Sequence, residues 1–595
     1  MLKKFRHMAE TVLKLKPFIA PYKWSFLGAM FMAVFGVGAM TLAPTVEGMI
    51  TTQLAKDTSH ILKGEPGAGV HFDVILRILA VLLVIYLIKT LAQIVGTFWL
   101  TNSIQNAMHD LRNEVQNKVR RLPVRYFDNH KFGDILSRVT NDVETVSNAL
   151  QQSFIQIVTG VLTLALAITM MFTIQPLMAC ISILIIPISL IITRGVVRRS
   201  QKQFKAQQDS MGALNGTITE LYGGYNEILL FGKQEDSIRQ FEEVNDELQK
   251  HAFKAQFVSS LMNPLISLTT YLCIGSIAVL GCFQVISGNI TVGNLQAFIR
   301  YIWQINDPLS QVSQLSTQLQ AAFAALNRIY EVLEEEEEVA EADPPVQLSQ
   351  VKGNVTFDNV TFGYGDTPVV QNLNAQIKAG QMVAIVGPTG AGKTTLINLL
   401  LRFYDVEGGS IQIDGVDIRD MRREDLRALF GMVLQDTWLF SGTIYDNIRY
   451  GRLDARKDQV INAAKLANVH HFIRTLPRGY DMMINEEGNN ISQGEKQLLT
   501  IARAILKDPK ILILDEATSS VDTRLEKMLQ NAMHKVLEGR TSFVIAHRLS
   551  TIKNADMIMV LHDGNIEEVG THETLMKKRG YYEQLYNSQF AAAQE

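Results

Sequence analysis

The stretch Val383-Ala-Ile-Val-Gly-Pro-Thr-Gly-Ala-Gly-Lys-Thr394 is an apolar run that leads into a glycine-rich loop with the spacing Gly-x4-Gly-Lys-Thr. Residues 395–401, directly after the loop, are mostly apolar and predict a helix. A strand, such a loop and a helix in this order form a phosphate loop, in which backbone N–H groups at the helix N-terminus surround phosphate oxygens. The stretch therefore predicts a nucleotide site in an α/β domain. The predicted nucleotide-binding residues of this loop are Gly387, Pro388, Thr389, Gly390, Ala391, Gly392, Lys393, Thr394 and Thr395.

A second apolar run, Ile511-Leu-Ile-Leu-Asp-Glu516, ends in two carboxylates. It predicts another buried parallel strand, because an unbroken apolar run is typical of strands that are covered on both faces. Asp515 at the strand end would lie near a metal ion, and Glu516 would polarise the attacking water. Lys393 would reach the β- and γ-phosphates, and the Thr394 hydroxyl would ligate Mg²⁺. The two motifs together indicate that the chain binds and hydrolyses ATP.

Composition divides the chain into an apolar first half and a second half typical of a soluble domain. The chain has 595 residues, which is too long for one compact domain, and 47% of them are hydrophobic. A net charge of −3 gives no basic footprint for nucleic acid. The three cysteines lie in apolar runs without metal-ligand spacing, so we expect small buried side chains there rather than a metal centre.

Six apolar stretches predict an all-α membrane domain over residues 1–330. Each stretch, with tilt and flanking residues, can cross about 30 Å of hydrocarbon. The sixth is the weakest prediction because it contains Arg300 and Asp307. The stretches are residues 24–48, 74–100, 153–175, 177–193, 261–287 and 292–310.

The charges between these stretches predict that both termini lie in the cytoplasm. The connections after the second and fourth stretches contain many arginines and lysines, whereas residues 175–176 and 288–291 contain none. Basic connections remain on the cytoplasmic side of a membrane. Both basic connections are long and have helical spacing, with breaks near Pro123 and at Gly223-Gly224. They predict two helical hairpins that project into the cytoplasm.

An acidic segment, residues 331–350, separates the membrane domain from residues 351–595. It includes consecutive glutamates from 334 to 338 and the pair Pro344-Pro345. A charge run followed by prolines predicts a solvated linker. Beyond the linker, strand-like and helical segments alternate, which is typical of a parallel α/β domain.

With these motifs in place, residues 353–580 resemble the nucleotide-binding domain of an ATP-binding cassette (ABC) protein. Residues 1–330 resemble the six-helix membrane domain of the exporter branch of that family. The resemblance covers nearly the whole chain and implies a type I exporter fold in which ATP hydrolysis drives transport. It also implies coupling helices at the hairpin tips, near residues 123–131 and 219–226, and a D-loop that ends at Asp522.

The resemblance assigns roles to further residues around the nucleotide. Tyr364 would stack on adenine. Gln435 would ligate Mg²⁺ and sense the γ-phosphate, and Asp515 would bind the metal through water. His547 would contact the γ-phosphate and order the attacking water together with Glu516.

One motif of the family is altered in this chain. In the family, the signature Leu-Ser-Gly-Gly-Gln of one chain closes over the nucleotide held by the phosphate loop of the other. Here the motif reads Ile491-Ser492-Gln493-Gly494-Glu495, so that Gln493 replaces a glycine and Glu495 brings negative charge towards nucleotide. The interpretation is a heterodimer whose second subunit has an intact signature and a degenerate catalytic carboxylate. Neutral drift in a homodimer is the alternative.

The resemblance is closest to bacterial heterodimeric multidrug exporters, which extrude amphipathic, often cationic compounds across the cytoplasmic membrane. A homodimeric lipid or peptide exporter is one alternative, and a channel or sensor that uses ATP only for gating is another. Charges within spans tend to face a water-filled cavity or a partner, which makes Lys89, Arg300 and Asp307 candidate pathway residues. Lys89 could instead snorkel to the interface, and Asp307-Pro308 could form a kink.

Overall fold

The computed structural model describes residues 13–66, 69–348, 350–365, 367–434, 437–485, 490–515, 523–546 and 549–588. Contacts within the chain divide it into two compact units. The first consists of Met1–Arg121 and His130–Glu335, and the second of Leu122–Asn129 and Glu336–Glu595. The short segment Leu122–Asn129 therefore belongs to the second unit, although the chain on both sides of it belongs to the first.

The first unit is helical, as the long apolar stretches predict. Short 3-10 and π-helical turns at Ala20–Tyr22, Arg138–Asp142 and Leu150–Phe154 connect some of its helices. The helices up to residue 334, of which α4 lies in the second unit, are α1 (Lys16–Ile19), α2 (Lys23–Leu62), α3 (Phe72–Val119), α4 (Val124–Asn129), α5 (Phe132–Ser137), α6 (Val143–Ala149), α7 (Ile155–Ile174), α8 (Pro176–Ile183), α9 (Ile185–Gly223), α10 (Tyr225–Leu230), α11 (Gln234–Ser260), α12 (Met262–Ile286) and α13 (Val292–Glu334).

Among the described residues, five helical segments are long and apolar enough to cross a membrane. The sixth predicted stretch lies in α13, which is not one of the five, because Arg300, Asp307 and several amides make it more polar. Apolar side chains of α13 are nevertheless buried, including those of Phe298, Ile302 and Ile305. The five segments are Lys16–Leu62, Phe72–Val119, Phe132–Ile174, Pro176–Gly223 and Gln234–Ile286.

Several of these helices are much longer than a bilayer is thick. Helix α3 has 48 residues and α9 has 39, and a rise of about 1.5 Å per residue makes α3 about 72 Å long. The chain leaves helical geometry before Val124 and again at Gly223, where the sequence predicts the breaks near Pro123 and at Gly223-Gly224. Short helices, α4 and α10, follow these two breaks.

A close backbone contact joins α2 to α13. A Cβ atom added to Gly293 would lie 1.7 Å from the carbonyl oxygen of Gly48, and one added to Gly48 would lie 2.4 Å from that of Gly293. Further along the same pair of helices, the buried Tyr301 hydroxyl donates to the carbonyl oxygen of Thr41 at 2.7 Å. The Thr45 hydroxyl lies 2.8 Å from the same Tyr301 oxygen. Glycines thus allow the contact, and buried hydrogen bonds fix its register.

The expectation for the cysteines is wrong for two of the three. Cys180 and Cys282 are exposed, and Cys273 is partly buried. They lie in helices that the sequence places in the membrane. Apolar side chains of such helices also face lipid, so an apolar run does not predict burial within the protein.

The second unit is built on strands and helices that alternate, which confirms the α/β prediction. A six-stranded sheet has the order β12-β11-β3-β10-β9-β6, and its strands are parallel except for the antiparallel β12. An antiparallel sheet has the order β2-β1-β4-β5, and β7 pairs with β8. The strands are β1 (Val355–Gly363), β2 (Pro368–Ile377), β3 (Met382–Val386), β4 (Gly408–Ile413), β5 (Val416–Asp417), β6 (Phe430–Val433), β7 (Gly442–Thr443), β8 (Met483–Ile484), β9 (Ile511–Asp515), β10 (Thr541–Ile545), β11 (Met557–His562) and β12 (Asn565–Gly570).

The helices of the second unit cover both faces of the parallel sheet. In β9, Ile511 and Ile513 join the buried cluster that contains Leu396 of α14. The alternate residues Leu512 and Leu514 join the cluster of α19 on the other face. A strand with two covered faces reads as a continuous apolar run, which is why β3 and β9 are evident in the sequence. These helices are α14 (Lys393–Leu400), α15 (Arg423–Ala428), α16 (Ile444–Arg449), α17 (Lys457–Leu466), α18 (His470–Thr475), α19 (Gln493–Lys507), α20 (Thr523–Leu537), α21 (Leu549–Lys553), α22 (His572–Lys578) and α23 (Tyr581–Tyr586), with a 3-10 turn at Gly479–Asp481.

Most of the described linker residues are exposed, but three of them are also bonded to the second unit. The buried Arg423 receives the linker in the second unit: the backbone N–H of Arg423 donates to Glu341 at 2.9 Å, and its guanidinium donates to the carbonyl oxygen of Val339 at 2.8 Å. Glu338 lies 3.7 Å from the same guanidinium. Two hydrogen bonds and one ion pair thus attach the middle of the linker to the domain that follows it.

We expect Gly293→Ala to destabilise the first unit, because the added methyl group would overlap the backbone of α2. Overpacking of this kind costs about 1–3 kcal/mol. The matched control is Gly275→Ala in α12, where an added Cβ meets nothing within 4 Å. The thermal-unfolding midpoint of the purified protein in detergent should fall for Gly293→Ala and not for Gly275→Ala. Equal midpoints would contradict the contact.

Candidate nucleotide site and membrane cavity

The phosphate loop connects β3 to α14 as the sequence predicts. Gly390 and Gly392 have φ values of +84° and +95°, a left-handed conformation that side chains with a Cβ rarely adopt. A Cβ on Gly387 would lie 2.3 Å from the carbonyl oxygen of Leu561, so this position also requires glycine. Around Gly390 an added Cβ would meet nothing within 4 Å. The loop therefore presents bare, open backbone at the N-terminus of α14.

Lys393 is held at the centre of this loop. Its ammonium group donates hydrogen bonds to the carbonyl oxygens of Gly387 at 2.7 Å and Pro388 at 2.9 Å. Burial lowers the pKa of Lys393, and the negative charge of Asp515 partly offsets that effect. Asp515 ends β9, two strands away from β3 in the sheet. The parallel strands thus bring the predicted phosphate-binding lysine and the predicted metal-binding carboxylate into electrostatic contact.

The described residues fit the phosphate groups of a nucleotide. Thr389, Gly390 and Thr394 are exposed where backbone N–H groups and the helix dipole attract anions, whereas Ala391 and Thr395 are buried beneath them. Among the described residues, no group of three or more His, Cys, Asp or Glu could enclose a metal ion. Mg²⁺ in nucleotide sites takes few protein ligands and bridges phosphate oxygens, whose charge it neutralises.

The predicted adenine-stacking residue Tyr364 lies beside the loop. Its hydroxyl donates to the Thr395 hydroxyl at 3.3 Å, and the residue is 41% exposed. The rings of Phe362 and Tyr404 pack against it edge-on, each with a centroid distance of 5.1 Å. Packing holds the ring in place while part of it stays accessible to a planar base.

The segment Leu122–Asn129, which includes α4, reaches the same aromatic cluster. The Arg125 guanidinium donates to the carbonyl oxygen of Tyr364 at 3.2 Å. The Tyr404 hydroxyl donates to the carboxylate of Asp128. Burial and the Asp128 carboxylate raise the pKa of Tyr404, so its hydroxyl remains a donor. The sequence carries no local signal for these contacts, because they join residues that lie far apart along the chain.

The altered signature forms the N-terminus of α19, where Ser492 and Gln493 are exposed and Gly494 is buried. The Glu495 carboxylate folds back and accepts hydrogen bonds from the Ser492 backbone N–H at 3.0 Å and from its hydroxyl at 2.6 Å. Ser-x-x-Glu is a helix capping sequence, and a carboxylate also suits the positive end of the helix dipole. Glu495 therefore stabilises its own helix, which the sequence analysis missed although the motif was present.

Four predicted site residues, Gln435, Glu516, Asp522 and His547, lie outside the described residues. The strands that lead towards three of them are described. Parallel strands β6, β9 and β10 end at Val433, Asp515 and Ile545 respectively. The roles assigned to these four residues remain predictions.

Two of the three predicted pathway residues line one cavity in the first unit. Lys89 of α3 and Asp307 of α13 border a cavity of about 420 Å³, to which α2 and α7 also contribute. Gln93, Gln156 and Gln304 supply amides to its wall. Pro308 lies within α13, which continues through it to Glu334.

The third predicted pathway residue, Arg300, is not part of this cavity lining. Its guanidinium lies 3.4 Å from the carboxylate of Glu47 on α2. The hydroxyl of Tyr86 on α3 donates to the same carboxylate at 2.7 Å. Arg300 thus takes part in a polar cluster that joins three helices. Its role in transport remains a prediction.

Comparison with known proteins agrees with this architecture. Residues 26–309 match the family of the ABC transporter transmembrane region, and residues 370–519 match the ABC transporter family. Over 521 residues, the chain is 46% identical to a fatty acid ABC transporter ATP-binding/permease protein of Mycobacterium bovis, covering 87% of this chain and 82% of that protein. The chain belongs to the ABC transporter family.

This ABC transporter is also 33% identical to a putative multidrug export ATP-binding/permease protein of Bacillus subtilis, over 96% of the chain and 98% of the relative. Its fold matches the solved structure of a bacterial Atm1-family ABC exporter with ATP bound, with a TM-score of 0.73 and 28% identity. The match covers 96% of this chain and 99% of that one. The predicted type I exporter fold is confirmed, and the transporter is an ATP hydrolase coupled to transport.

We expect Lys393→Ala to weaken binding of ATP to the transporter at least about tenfold, because it removes the charge that faces the phosphates. The matched control is Lys378→Ala, which changes an exposed lysine of the same domain. Titration of the purified transporter with a fluorescent ATP analogue would measure both. An unchanged affinity in Lys393→Ala would contradict the assignment of the loop.

We expect Tyr404→Phe to reduce substrate-stimulated ATPase activity several-fold, because it removes the hydrogen bond to Asp128 while it retains the aromatic packing. Tyr480→Phe is the control, since it also removes one hydroxyl from the same domain, where the partner is His470. Activity in liposomes with and without an amphipathic substrate would test this. Equal stimulation in both variants would show that the Asp128 contact does not transmit the signal.

Proposed function

We propose that this chain is one subunit of a dimeric exporter that uses ATP to move amphipathic molecules out of the cytoplasm across a bacterial plasma membrane. The observation that carries the proposal is the attachment of Leu122–Asn129 to the nucleotide site. This segment lies between two membrane-unit helices, yet Arg125 and Asp128 are bonded to residues around Tyr364. Such a connection would couple nucleotide binding to movement of the helices.

The tip of the second hairpin supports a dimer. Around α10, Tyr222, Leu230 and Phe231 are 79%, 78% and 72% exposed. Exposed aromatic groups in a cluster are typical of a surface that binds another protein. Unlike Leu122–Asn129, this tip remains with the first unit. We infer that it docks on the nucleotide-binding domain of a second subunit.

The altered signature favours a heterodimer. The Glu495 carboxylate is held against the Ser492 hydroxyl, so negative charge would face the γ-phosphate of the nucleotide in the partner's site. That site would close less readily, and we infer that it is the degenerate one. The phosphate loop and Asp515 of this chain, with Glu516 and His547 as the proposed catalytic pair, would form the competent site with the intact signature of the partner. Gln435 and Asp522 would complete this site as metal ligand and D-loop residue.

The cavity and the relatives indicate amphipathic substrates. The lining of the cavity combines apolar side chains with amides, hydroxyls and two charges, which suits a molecule with a polar head and an apolar body. One relative is named for fatty acids and another for multidrug export. The fatty acid relative favours lipid-like substrates, and a homodimeric lipid exporter is therefore the second candidate.

Reconstitution of the chain alone and with a candidate partner half-transporter would test the proposal. We expect the pair to hydrolyse ATP and to export a fluorescent amphiphile from liposomes, and the chain alone to be at least about tenfold slower. Glu516→Gln in the pair should abolish turnover but preserve ATP binding. Repair of the signature by Gln493→Gly with Glu495→Gln should change turnover little, because the facing site would still lack its carboxylate.

Each outcome separates the candidates. Full activity of the chain alone would contradict the heterodimer and favour a homodimer. Normal turnover in Glu516→Gln would contradict the catalytic role of Glu516. Failure of both samples to export any amphiphile, despite ATP binding, would contradict export itself.

A further inference from the structure

Among the residues that the structure describes, no side chain neutralises the charge of Lys89. It lies in the apolar part of α3 and lines the cavity. Among the described residues it has no hydrogen bond and no ion pair, whereas Arg300, the other basic pathway candidate, is paired with Glu47. An ammonium group within a membrane domain is costly unless it is paired or hydrated. Within the described lining of the cavity, Lys89 is therefore a positive charge without a partner.

A second polar group of the same cavity is also unmatched. The side-chain oxygen of Gln304 on α13 is buried and accepts no hydrogen bond from the described residues. A buried amide oxygen without a donor costs about 1–3 kcal/mol. Within the described part of the chain, neither the Lys89 ammonium group nor the Gln304 side-chain oxygen is hydrogen-bonded, although both residues line the cavity. Two unmatched groups of opposite character in the lining of one cavity indicate a site that is completed by a ligand.

The rest of the wall accommodates an apolar chain. Met32, Val37, Met40 and Ile155 contribute apolar side chains, and methionine adapts readily to flexible ligands. A volume of about 420 Å³ lies within the range of small-molecule sites.

Asp307 does not remove the preference for an anion. Its carboxylate also borders the cavity, but it already has an interaction within the protein. Lys89 has no such interaction among the described residues. A ligand of opposite charge would therefore gain more binding free energy from Lys89 than a cationic ligand would gain from Asp307. A cationic amphiphile would leave Lys89 unpaired and would be repelled by it.

We propose that this cavity binds amphiphiles with a carboxylate head, which pairs with Lys89, while a hydrogen-bond donor on the same head reaches the Gln304 oxygen. This assignment rests on the proposed export function and names the substrate class of that site. It differs from the cationic compounds that the resemblance to multidrug exporters implies. N-acyl amino acids, which have a carboxylate and an amide N–H next to an acyl chain, meet both requirements.

Binding to the purified full-length chain in lipid nanodiscs tests this without the need for turnover. The probe is cis-parinaric acid, a fluorescent fatty acid, displaced by N-dodecanoylglycine, dodecanoate or dodecylamine at neutral pH. We expect N-dodecanoylglycine to displace the probe best and dodecylamine to be at least about tenfold weaker. Equal displacement by the acids and the amine would overturn the proposal.

Variants of Lys89 identify the group responsible. Lys89→Gln should weaken N-dodecanoylglycine binding about tenfold or more, Lys89→Arg should retain it, and Lys89→Glu should reverse the preference towards dodecylamine. The control is Arg77→Gln, which removes an exposed positive charge from the same helix outside the cavity lining. Retention of the charge in Lys89→Arg guards against loss of folding. Carboxylate binding that is unchanged in Lys89→Gln, or reduced as much in Arg77→Gln, would overturn the proposal.

The Gln304 contact has a test of its own. Gln304→Leu should remove the advantage of N-dodecanoylglycine over dodecanoate and leave dodecanoate binding within about twofold, because only the first ligand offers an amide donor. If the advantage persists in Gln304→Leu, the assignment of the donor is wrong.

Transport in liposomes then separates this proposal from the proposed function. Export of cationic amphiphiles but not of carboxylates by the reconstituted dimer would overturn the carboxylate site while export stands. Binding of carboxylates through Lys89 without ATP-driven export of any amphiphile would overturn the proposed function. Export of carboxylates that is lost in Lys89→Gln and kept in Lys89→Arg would support both.

Discussion

The membrane unit depends on the close approach of α2 and α13 at Gly48 and Gly293. Once the two backbones touch there, the register between the helices is fixed along their length. An α-helix has about 3.6 residues per turn, so residues at that spacing lie on the same face. The register therefore also fixes the positions of Gln304 and Asp307, which lie about three to four turns further along α13. The polar wall of the cavity thus follows from a contact well away from it. The side-chain contacts that share this seam are Thr51 with Gln296, Glu47 with Arg300, and Thr41 and Thr45 with Tyr301.

In the nucleotide-binding domain, the parallel sheet fixes the positions of the site residues. Alternate residues of β9 pack against helices on opposite faces, so the strand cannot shift without exposing one of two cores. Asp515, at the carboxyl end of β9, therefore has a fixed position relative to Lys393. The phosphate loop adds its own constraint, because Gly387 touches the backbone at Leu561. Packing on two sides thus holds in place a loop whose exposed residues are Thr389, Gly390 and Thr394.

Most of the architecture could be predicted because it arises from local patterns. Apolar length predicts membrane helices, glycine spacing predicts the phosphate loop, and continuous apolar runs predict β3 and β9. Contacts between distant residues could not be predicted, such as Arg300 with Glu47 or Tyr404 with Asp128. A charge in a span indicates that a partner or a cavity exists, but sequence does not say which. The capping role of Glu495 could have been predicted, because Ser492-x-x-Glu495 is a helix capping sequence. The sequence analysis considered only the contact of Glu495 with nucleotide.

The length of α3 has a mechanical consequence. It is a single helix of 48 residues that lines the cavity at Lys89 and ends just before the segment bonded to Tyr364 and Tyr404. A rod about 72 Å long that tilts by about 5° about one end moves its other end by about 6 Å. In a straight helix of this length, a small rotation at one end would therefore displace the other end by about the length of a side chain. The size of this displacement would then depend on how stiff the helix is, as well as on the contacts at its two ends.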